Sequence, residues 1–425
     1  MIIKYDHQLK LVGKMLLSYD KKQFEINVSE NRLIKELLPN EVKVGLTGKA
    51  EVERALDNPI GATRIDELVK KGQKVCIITS DITRPMPSKI CLPPLVERLN
   101  RAGVPNEDIL IVFALGSHRP HTEEEMRYLV GDAIYESIEC VDSNPEKCVR
   151  VGVTSSGTVV DIFDRVVNSD FIICMGNIEY HYFAGYSGGA KAIMPGVSTK
   201  EAIRQNHKMM VEPTAYAGNL ESPVRLDIEE AGKLLGIDYI LNVVLDEHKN
   251  IIFACAGDSV LAHREGCKFL DELYSVSIKE KADIVLVSAG GYPKDQNMYQ
   301  AQKALDNAKH AVKDGGIIIW LASCKEGLGS AVFEEWMTKK TPKQMIEDIK
   351  KDFKLGGHKA AAISLVLEKS RIFLVSDLDE NLVKGIHLEP YSSLNNAFKD
   401  ATNMLGENSS VYVMPYGGST LPKEI

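Results

Sequence analysis

No stretch of this sequence approaches the roughly 18 uninterrupted apolar residues that a membrane-spanning helix requires. The opening residues, MIIKYDHQLKLVGK, interrupt their apolar positions with charge and lack the hydrophobic core of a secretory leader. The eight cysteines are scattered, with no CxxC pair and no framework spacing. A disulfide scaffold or a structural zinc domain is therefore not expected, and reduced thiols in a cytoplasm fit better. HExxH is missing, which argues against a conventional zinc hydrolase. Basic tracts are missing too, and a formal net charge of −8 makes a polyanion an unsuitable partner. Low-complexity segments and short fixed-period repeats do not occur. What is left is the composition of a soluble globular enzyme, 44% hydrophobic and 26% charged over 425 residues, enough for two or three domains.

One pattern recurs along the chain. A short β-branched run is followed by a turn rich in Gly, Ser, Asp or Pro, and then by a helical stretch. KVCIITSDITRP (74–85), DILIVFALGSHRP (108–120) and DFIICMGNIEYHYFAGYSGG (170–189) carry it in the first part of the chain. ADIVLVSAGGYPKD (282–295), GGIIIWLASCKEGLG (315–329), SRIFLVSD (370–377) and SVYVMPYGG (410–418) carry it in the second. Near-continuous Val/Ile/Leu runs are those of strands buried on both faces, so mainly parallel sheets covered by helices are expected. CVRVGVTSSGTVVDIF (148–163) alternates around Ser-Ser-Gly and reads as a hairpin. HREGCKFLDELYSVSIKEKAD (263–283) reads as a helix and a charged connector, which places a boundary near 275. The expectation is two α/β domains, 1–275 for cofactor binding and catalysis and 276–425 completing the substrate cleft. Ligands in open α/β sheets bind beyond the carboxyl ends of the strands, and the candidate polar residues all fall there or in the following helix.

Residues 181–196 read HYFAGYSGGAKAIMPG. Aligned from Gly185 on the phosphate-binding pattern GxxxxGK[ST], the second glycine becomes Ala190 and the metal-binding hydroxyl becomes Ala192, so two fixed positions fail. Gly188 and Gly189 still suit close approach of a backbone to an anionic cofactor. Lys191 suits a second use, as an amine that forms a covalent bond. The plainer reading is an exposed lysine beside a tight turn. His118 in ALGSHRPHT and His181 in NIEYHYFAGYSGG follow buried-type strands and could supply an acid and a base, with His121 able to stand in for His118. His207 lies in KEAIRQNHKMM, a helix predicted to begin after Ser198 and Thr199, and could bind metal as neutral imidazole. Each histidine could equally serve only to hold a loop. In SDITRP, Arg84 offers a planar fork for a carboxylate or phosphate, and Asp81 either assists or merely braces the turn. In YPKDQNMYQAQKAL a helix is predicted by about Met298, with Gln300 and Lys303 on one face.

Together SDITRP, GSHRPHT, EYHYFAGYSGGAKAIMPG, RQNH and GGYPKDQNMYQAQKAL resemble the nickel-dependent lactate racemases, the nickel-pincer nucleotide enzymes, in the family's order over nearly the full length. A histidine ten residues before the loop lysine and another sixteen after it form the most specific part of the likeness. The resemblance implies that Lys191 tethers a pyridinium-3,5-dithio-type mononucleotide, with Asp81, Gly188 and Gly189 beside it, and that His207 ligates nickel. It implies His118 and His181 as paired acid/bases, and Arg84, Gln300 and Lys303 as substrate-holding groups. The implied reaction is racemisation of a small 2-hydroxy acid, lactate first, by reversible hydride transfer to the cofactor. Accessory proteins that build the cofactor are implied as partners. One departure stands out: KLGGHKAAAI (354–363) carries His358 where lactate-specific members place a tryptophan near the substrate, and Trp320 and Trp336 lie elsewhere in the sequence. A different 2-hydroxy acid, such as malate or a sugar acid, is the alternative substrate. A nucleotide-binding kinase or NTPase and a hydroxy-acid-sensing binding protein are the alternatives from other classes.

Overall fold

The strand Phe171–Asn177 (FIICMGN) has no exposed residue, and a run of this kind is buried on both faces only where helices cover the sheet on both sides. In the computed structural model, which describes residues 2–3 and 14–425, that strand lies inside a six-stranded sheet. The strand order is Ile251–Gly257, Tyr239–Leu245, Phe171–Asn177, Val75–Ser80, Ile109–Ala114 and Glu139–Asp142. Only the first pair is antiparallel. The chain therefore lays strands outward from Val75–Ser80 and then returns to its other side with Phe171–Asn177. Where strand order reverses in this way, the loops leaving the two carboxyl ends diverge and open a crevice. Those loops carry SDITRP and the lysine turn. The hairpin expected at 148–163 is present as Cys148–Val153 and Val159–Phe163.

The chain divides into two compact units, Lys43–Asp271 and a second made of Glu272–Ile425 with residues from 2–42. The sheet of the second unit is parallel throughout, in the order Glu389–Tyr391, Arg371–Val375, Val312–Leu321, Ala282–Ser288, Val411–Met414 and Leu33–Glu36. Its order reverses between Ala282–Ser288 and Val411–Met414.

The N-terminal stretch corrects the domain expectation, which gave residues 1–42 to the first domain. Lys14–Tyr19 and Lys22–Asn27 form a hairpin whose Met15, Leu17, Tyr19 and Ile26 enter one core with Ile284, Leu286, Ile317 and Val413. The alternation in KMLLSY marks one buried face, but no local signal says which sheet will cover it. The connector after the helix Leu261–Tyr274 is also more than a linker, since Ser275–Ile278 pairs in parallel with Leu421–Glu424. Residues 4–13, part of the stretch read as lacking a leader, lie outside the described residues. Among the described residues no helix is long and apolar enough to cross a membrane.

Candidate functional site

After the strand Phe171–Asn177, Tyr180–His181 and Gly185–Tyr186 pair in a two-residue ladder that folds the chain back. Gly188 and Gly189, at φ +77° and +58°, then lead into the 3-10 turn Gly189–Ala192 that carries Lys191. The sequence assigns these glycines to a closely approaching cofactor, but protein occupies the side a Cβ would take. A Cβ on Gly188 would lie 2.8 Å from Asn242 Oδ1 and from Ile178, and one on Gly189 3.0 Å from the His263 ring. Asn242 Oδ1 accepts the Gly189 N–H at 2.7 Å, and His263 Nε2 donates to the Ser187 carbonyl at 2.8 Å. Arg225, fully buried, donates to the carbonyls of Ala184, Tyr186 and Gly188. Asp271 accepts from the hydroxyls of Tyr180 and Tyr186. The turn is thus held from behind by four residues that the motif does not contain. Lys191 itself is half-buried, and burial, then the charges of Arg225 and Arg84, push its ammonium well below the usual lysine range toward the neutral amine.

The helix Lys200–His207 starts where the sequence expects, with the Thr199 side chain accepting from the Ala202 N–H. His207, its last residue, is buried. Asn206 fixes the tautomer. Its Nδ2 donates to Asp227 Oδ2 at 2.7 Å and to the Val224 carbonyl at 3.2 Å, so its Oδ1 must accept. That oxygen lies 2.8 Å from His207 Nδ1. The ring proton is therefore on Nδ1 and the lone pair on Nε2, the arrangement a metal-ligating imidazole needs. Asp227 is itself steadied by the Thr154 hydroxyl at 2.5 Å.

The loop after Val75–Ser80 places Asp81 and Arg84. Asp81 is buried, accepts the Thr83 N–H at 2.8 Å, and stands 3.2 Å from His118 Nδ1. Burial alone would raise this carboxyl, but the His118 and Thr83 hydrogen bonds outweigh it and hold Asp81 at about 2. A carboxylate accepts only, and the Thr83 hydroxyl 3.3 Å from the same nitrogen is able to accept too, so the Asp81 contact favours the proton on Nδ1 and the lone pair on Nε2. His121 differs from the sequence expectation that it could replace His118. Its side chain is fully buried, its Nδ1 donates to Asp142 at 2.6 Å, and its Nε2 accepts the Ile82 N–H at 2.9 Å. Both nitrogens are committed, and His121 is the brace of the Asp81 loop. Arg84 is exposed, and among the described residues its guanidinium has no hydrogen-bond or ion-pair partner.

His181 Nδ1 accepts the Ala184 N–H at 3.2 Å, which leaves the proton of the neutral ring on Nε2. Burial, then Lys191, His207 and Arg84, push its pKa well below the usual histidine range. Those influences show that His181, Lys191, His207 and Arg84 share one locality. Phe183 packs edge-on against both imidazoles, 4.5 Å from the His181 ring and 5.0 Å from that of His207. The first unit thus brings six sequence-predicted residues into one neighbourhood: Asp81, Arg84, His118, His181, Lys191 and His207.

In the second unit, the helix Met298–Ala308 is capped by Asn297 and presents Gln300 and Lys303 as exposed side chains near its start. It follows the strand Ala282–Ser288, at that sheet's own reversal. Asp295 anchors the intervening loop by accepting the backbone N–H groups of Asp20 and Ser323. His358, expected at a substrate wall, is an interior residue. Its Nδ1 accepts the Gly356 N–H at 2.9 Å and its ring lies 5.2 Å from Phe353. Trp336, remote in sequence, packs its indole where a Cβ on Gly357 would fall, at 2.6 Å.

Burial, then Lys359, lowers His358 from 6.5 to about 3. Its contribution to stability is thus complete above pH 6.5 and is lost as pH falls toward 3, at about 1.4 kcal/mol per unit. Urea melts of His358→Leu between pH 7 and pH 4 should therefore show an acid slope shallower than wild type by about that amount.

Comparison with known proteins fits this geometry. Residues 19–218 match the family described as lactate racemase N-terminal domain, and residues 277–421 the lactate racemase C-terminal domain. The chain is 35% identical over 422 residues to the lactate racemase of Thermoanaerobacterium thermosaccharolyticum, and 34% over 421 to that of Lactiplantibacillus plantarum. Each alignment covers 96% of this chain and 99% of the relative. The solved lactate racemase apoprotein from T. thermosaccharolyticum superimposes with a TM-score of 0.85 at 32% identity, covering 96% of this chain and all of that one. A Thermotoga maritima crystal structure shares the fold at a TM-score of 0.58 and 18% identity, covering 90% of this chain and all of that one.

Proposed function

This chain belongs to the lactate racemase family, and from that premise we propose that it interconverts the enantiomers of a small 2-hydroxy acid, with lactate the first candidate. The observation that carries the reading is the grouping of these side chains in the first unit: His118 stands against the Asp81 carboxylate, and His181 packs with His207 on Phe183 and feels the charge of Lys191.

The residues present suit a nickel-pincer nucleotide. Among the described residues no three His, Cys, Asp or Glu side chains converge on a metal position, so His207 would act as a single protein ligand, with the remaining donors belonging to the nucleotide. Its Nε2 lone pair and the Asn206 bond meet that role, and soft sulfur donors with imidazole suit nickel. Lys191, shifted toward the neutral amine, suits a covalent tether. When bound, the cofactor would supply a hydride acceptor for the substrate's α-carbon, chemistry that no side chain provides.

The chain's own work is proton transfer and orientation. Arg84 holds the substrate carboxylate through its planar fork. His118 Nε2 takes the hydroxyl proton, and the Asp81 carboxylate stabilises the imidazolium that forms. The neutral His181 ring offers its Nε2–H as a hydrogen-bond donor to the substrate oxygen, and the imidazolium formed on His118 returns its proton to that oxygen to close the cycle. Gln300 and Lys303, which the family resemblance implies as substrate-holding groups, are exposed near the start of the helix Met298–Ala308.

Three measurements test the proposal, all on protein produced alongside cofactor-building enzymes. Chiral chromatography should show L-lactate converted to an equal mixture of enantiomers. In D2O the product should keep its α-hydrogen, because hydride transfer exchanges nothing with solvent; deuterium at the α-carbon would replace this mechanism with simple proton abstraction. Protein carrying nickel and a nucleotide adduct that racemises malate or a sugar acid but not lactate would move the substrate and keep the mechanism. Asn206→Leu removes the acceptor for His207 Nδ1 and should weaken nickel retention by about 10–100-fold, read by metal analysis after dialysis.

A further inference from the structure

The two-residue ladder ahead of the lysine turn presents different side chains on its two faces. Tyr180 pairs with Tyr186 and His181 with Gly185, and successive residues of a strand point to opposite sides. One face therefore carries both tyrosine rings, 5.5 Å apart, and the other carries the His181 imidazole beside Phe183. On the tyrosine face, Asp271 Oδ1 accepts the Tyr180 hydroxyl at 2.7 Å and Oδ2 the Tyr186 hydroxyl at 2.8 Å. We infer that Asp271 is a positioning residue for the reaction: by gripping one face of the ladder it sets where His181, on the other face, holds its Nε2–H. The inference rests on the reading of His181 as the donor to the substrate oxygen.

The ladder is too short to hold itself, since even a full two-stranded hairpin is marginal alone. Its placement must come from side chains. Gly185, the cross-strand partner of His181, stands at φ +72° with the Asn219 carbonyl where a Cβ would go, so no side chain steadies the imidazole from across the ladder. The Ala184 N–H, 3.2 Å from His181 Nδ1, orients the ring but belongs to the same loop and moves with it. Asp271 comes from outside that loop, on the helix Leu261–Tyr274 and 91 residues beyond Tyr180. On local grounds its place suits a carboxylate poorly, because the helix dipole disfavours negative charge in the last turn. The two hydroxyls supply the stabilisation that the helix does not. Burial, then the Asp271 charge, push both phenols well above the usual tyrosine range, so each keeps the proton it donates. The Tyr186 hydroxyl also lies 3.1 Å from the Gly218 carbonyl, which leaves Tyr180, directly before His181, as the main link.

The test uses lactate as the probe and protein produced alongside cofactor-building enzymes. Asp271→Asn keeps the shape but leaves one acceptor oxygen for two hydroxyls. It should lower kcat about 10-fold or more with KM within about twofold, the pattern of a misplaced catalytic group, at unchanged nickel and nucleotide mass. On a His181→Ala background the same substitution should change the residual kcat by less than about twofold, because Asp271 acts through His181. An unchanged kcat overturns the inference, as does an equal loss in both backgrounds or a loss of nickel and nucleotide. If Asp271→Asn fails to fold, Tyr180→Phe, which deletes one hydroxyl, carries the same comparison. A second readout needs no cofactor. In the chain labelled with 13C-histidine, the Cε1–H resonance that His181→Gln removes should shift or broaden in Asp271→Asn, or in Tyr180→Phe, while that of His118 stays in place. An unmoved His181 resonance overturns the inference whatever the turnover. Full turnover in His181→Ala together with a moved resonance would instead remove the reading of His181 as donor and leave its positioning by Asp271 standing.

Discussion

If Lys191 tethers the proposed cofactor, Lys191→Ala should reduce racemisation by about three orders of magnitude or more, because no side chain substitutes for a hydride acceptor. The expected signature has two parts. On that proposal, intact-mass analysis of protein made with the cofactor-building enzymes should show a nucleotide adduct on wild type and none on the variant, and nickel that wild type retains through dialysis should be lost from the variant even though His207 is untouched. Stability should barely change. Lys191 Nζ has no hydrogen-bond or ion-pair partner among the described residues and sits where its charge is disfavoured, so deleting it removes a desolvated amine and no contact of consequence. A thermal midpoint within a few degrees of wild type, with activity gone, separates loss of a tether from loss of a fold. Retained nickel and retained turnover would mean that the cofactor is held by some other residue.

The second large effect is expected at Asp81. Asp81→Asn keeps the volume but offers an amide N–H toward His118 Nδ1, which drives the imidazole proton to Nε2. Both histidines would then present protons and neither a base. A fall of about 10²–10⁴ in kcat/KM is expected, the range for loss of a general base. Because enantiomers are equal in free energy, kcat/KM must fall by the same factor from L and from D substrate. His118→Ala should cost a similar amount, and the double variant little more than either single change, since the two residues act as a unit. Additive losses would detach Asp81 from His118 and return it to a cofactor-positioning role. The adduct on Lys191 should persist in all three variants, which makes this result independent of the first.

The difference between what was legible and what was not follows from contact range. Phe171–Asn177 and Val75–Ser80 announce themselves because a strand buried on both faces must be apolar at every position. Lys191, His181 and His207 stand out because their spacing along one segment is itself the motif. Arg225 and Asp271 could not be found that way. They lie in helices whose sequences, PVRLDIEEAGKLL and LAHREGCKFLDELY, read as ordinary amphipathic surfaces, and their partners are some 40 and 90 residues away. His121 misled for the opposite reason. It sits in the right loop, but Asp142 and Ile82 take both of its nitrogens, and only three-dimensional proximity reveals that. Gly188 and Gly189 were legible as required glycines, while the reason for the requirement, contact with Asn242, Ile178 and His263, was not.

The placement of Leu33–Glu36 beside Val411–Met414, with the hairpin Lys14–Asn27 under the same sheet, bears on how the protein is made. Chains emerge from the ribosome N-terminus first, and domains fold as units. Residues 43–271 can close their own core as soon as they are out. The hairpin and edge strand, made before that unit, must wait for the strands from Ala282 to Met414 before their partners exist. Leu17 and Tyr19, fully buried in the finished protein, spend that interval without their core, so side chains made before the first unit are sheltered after it.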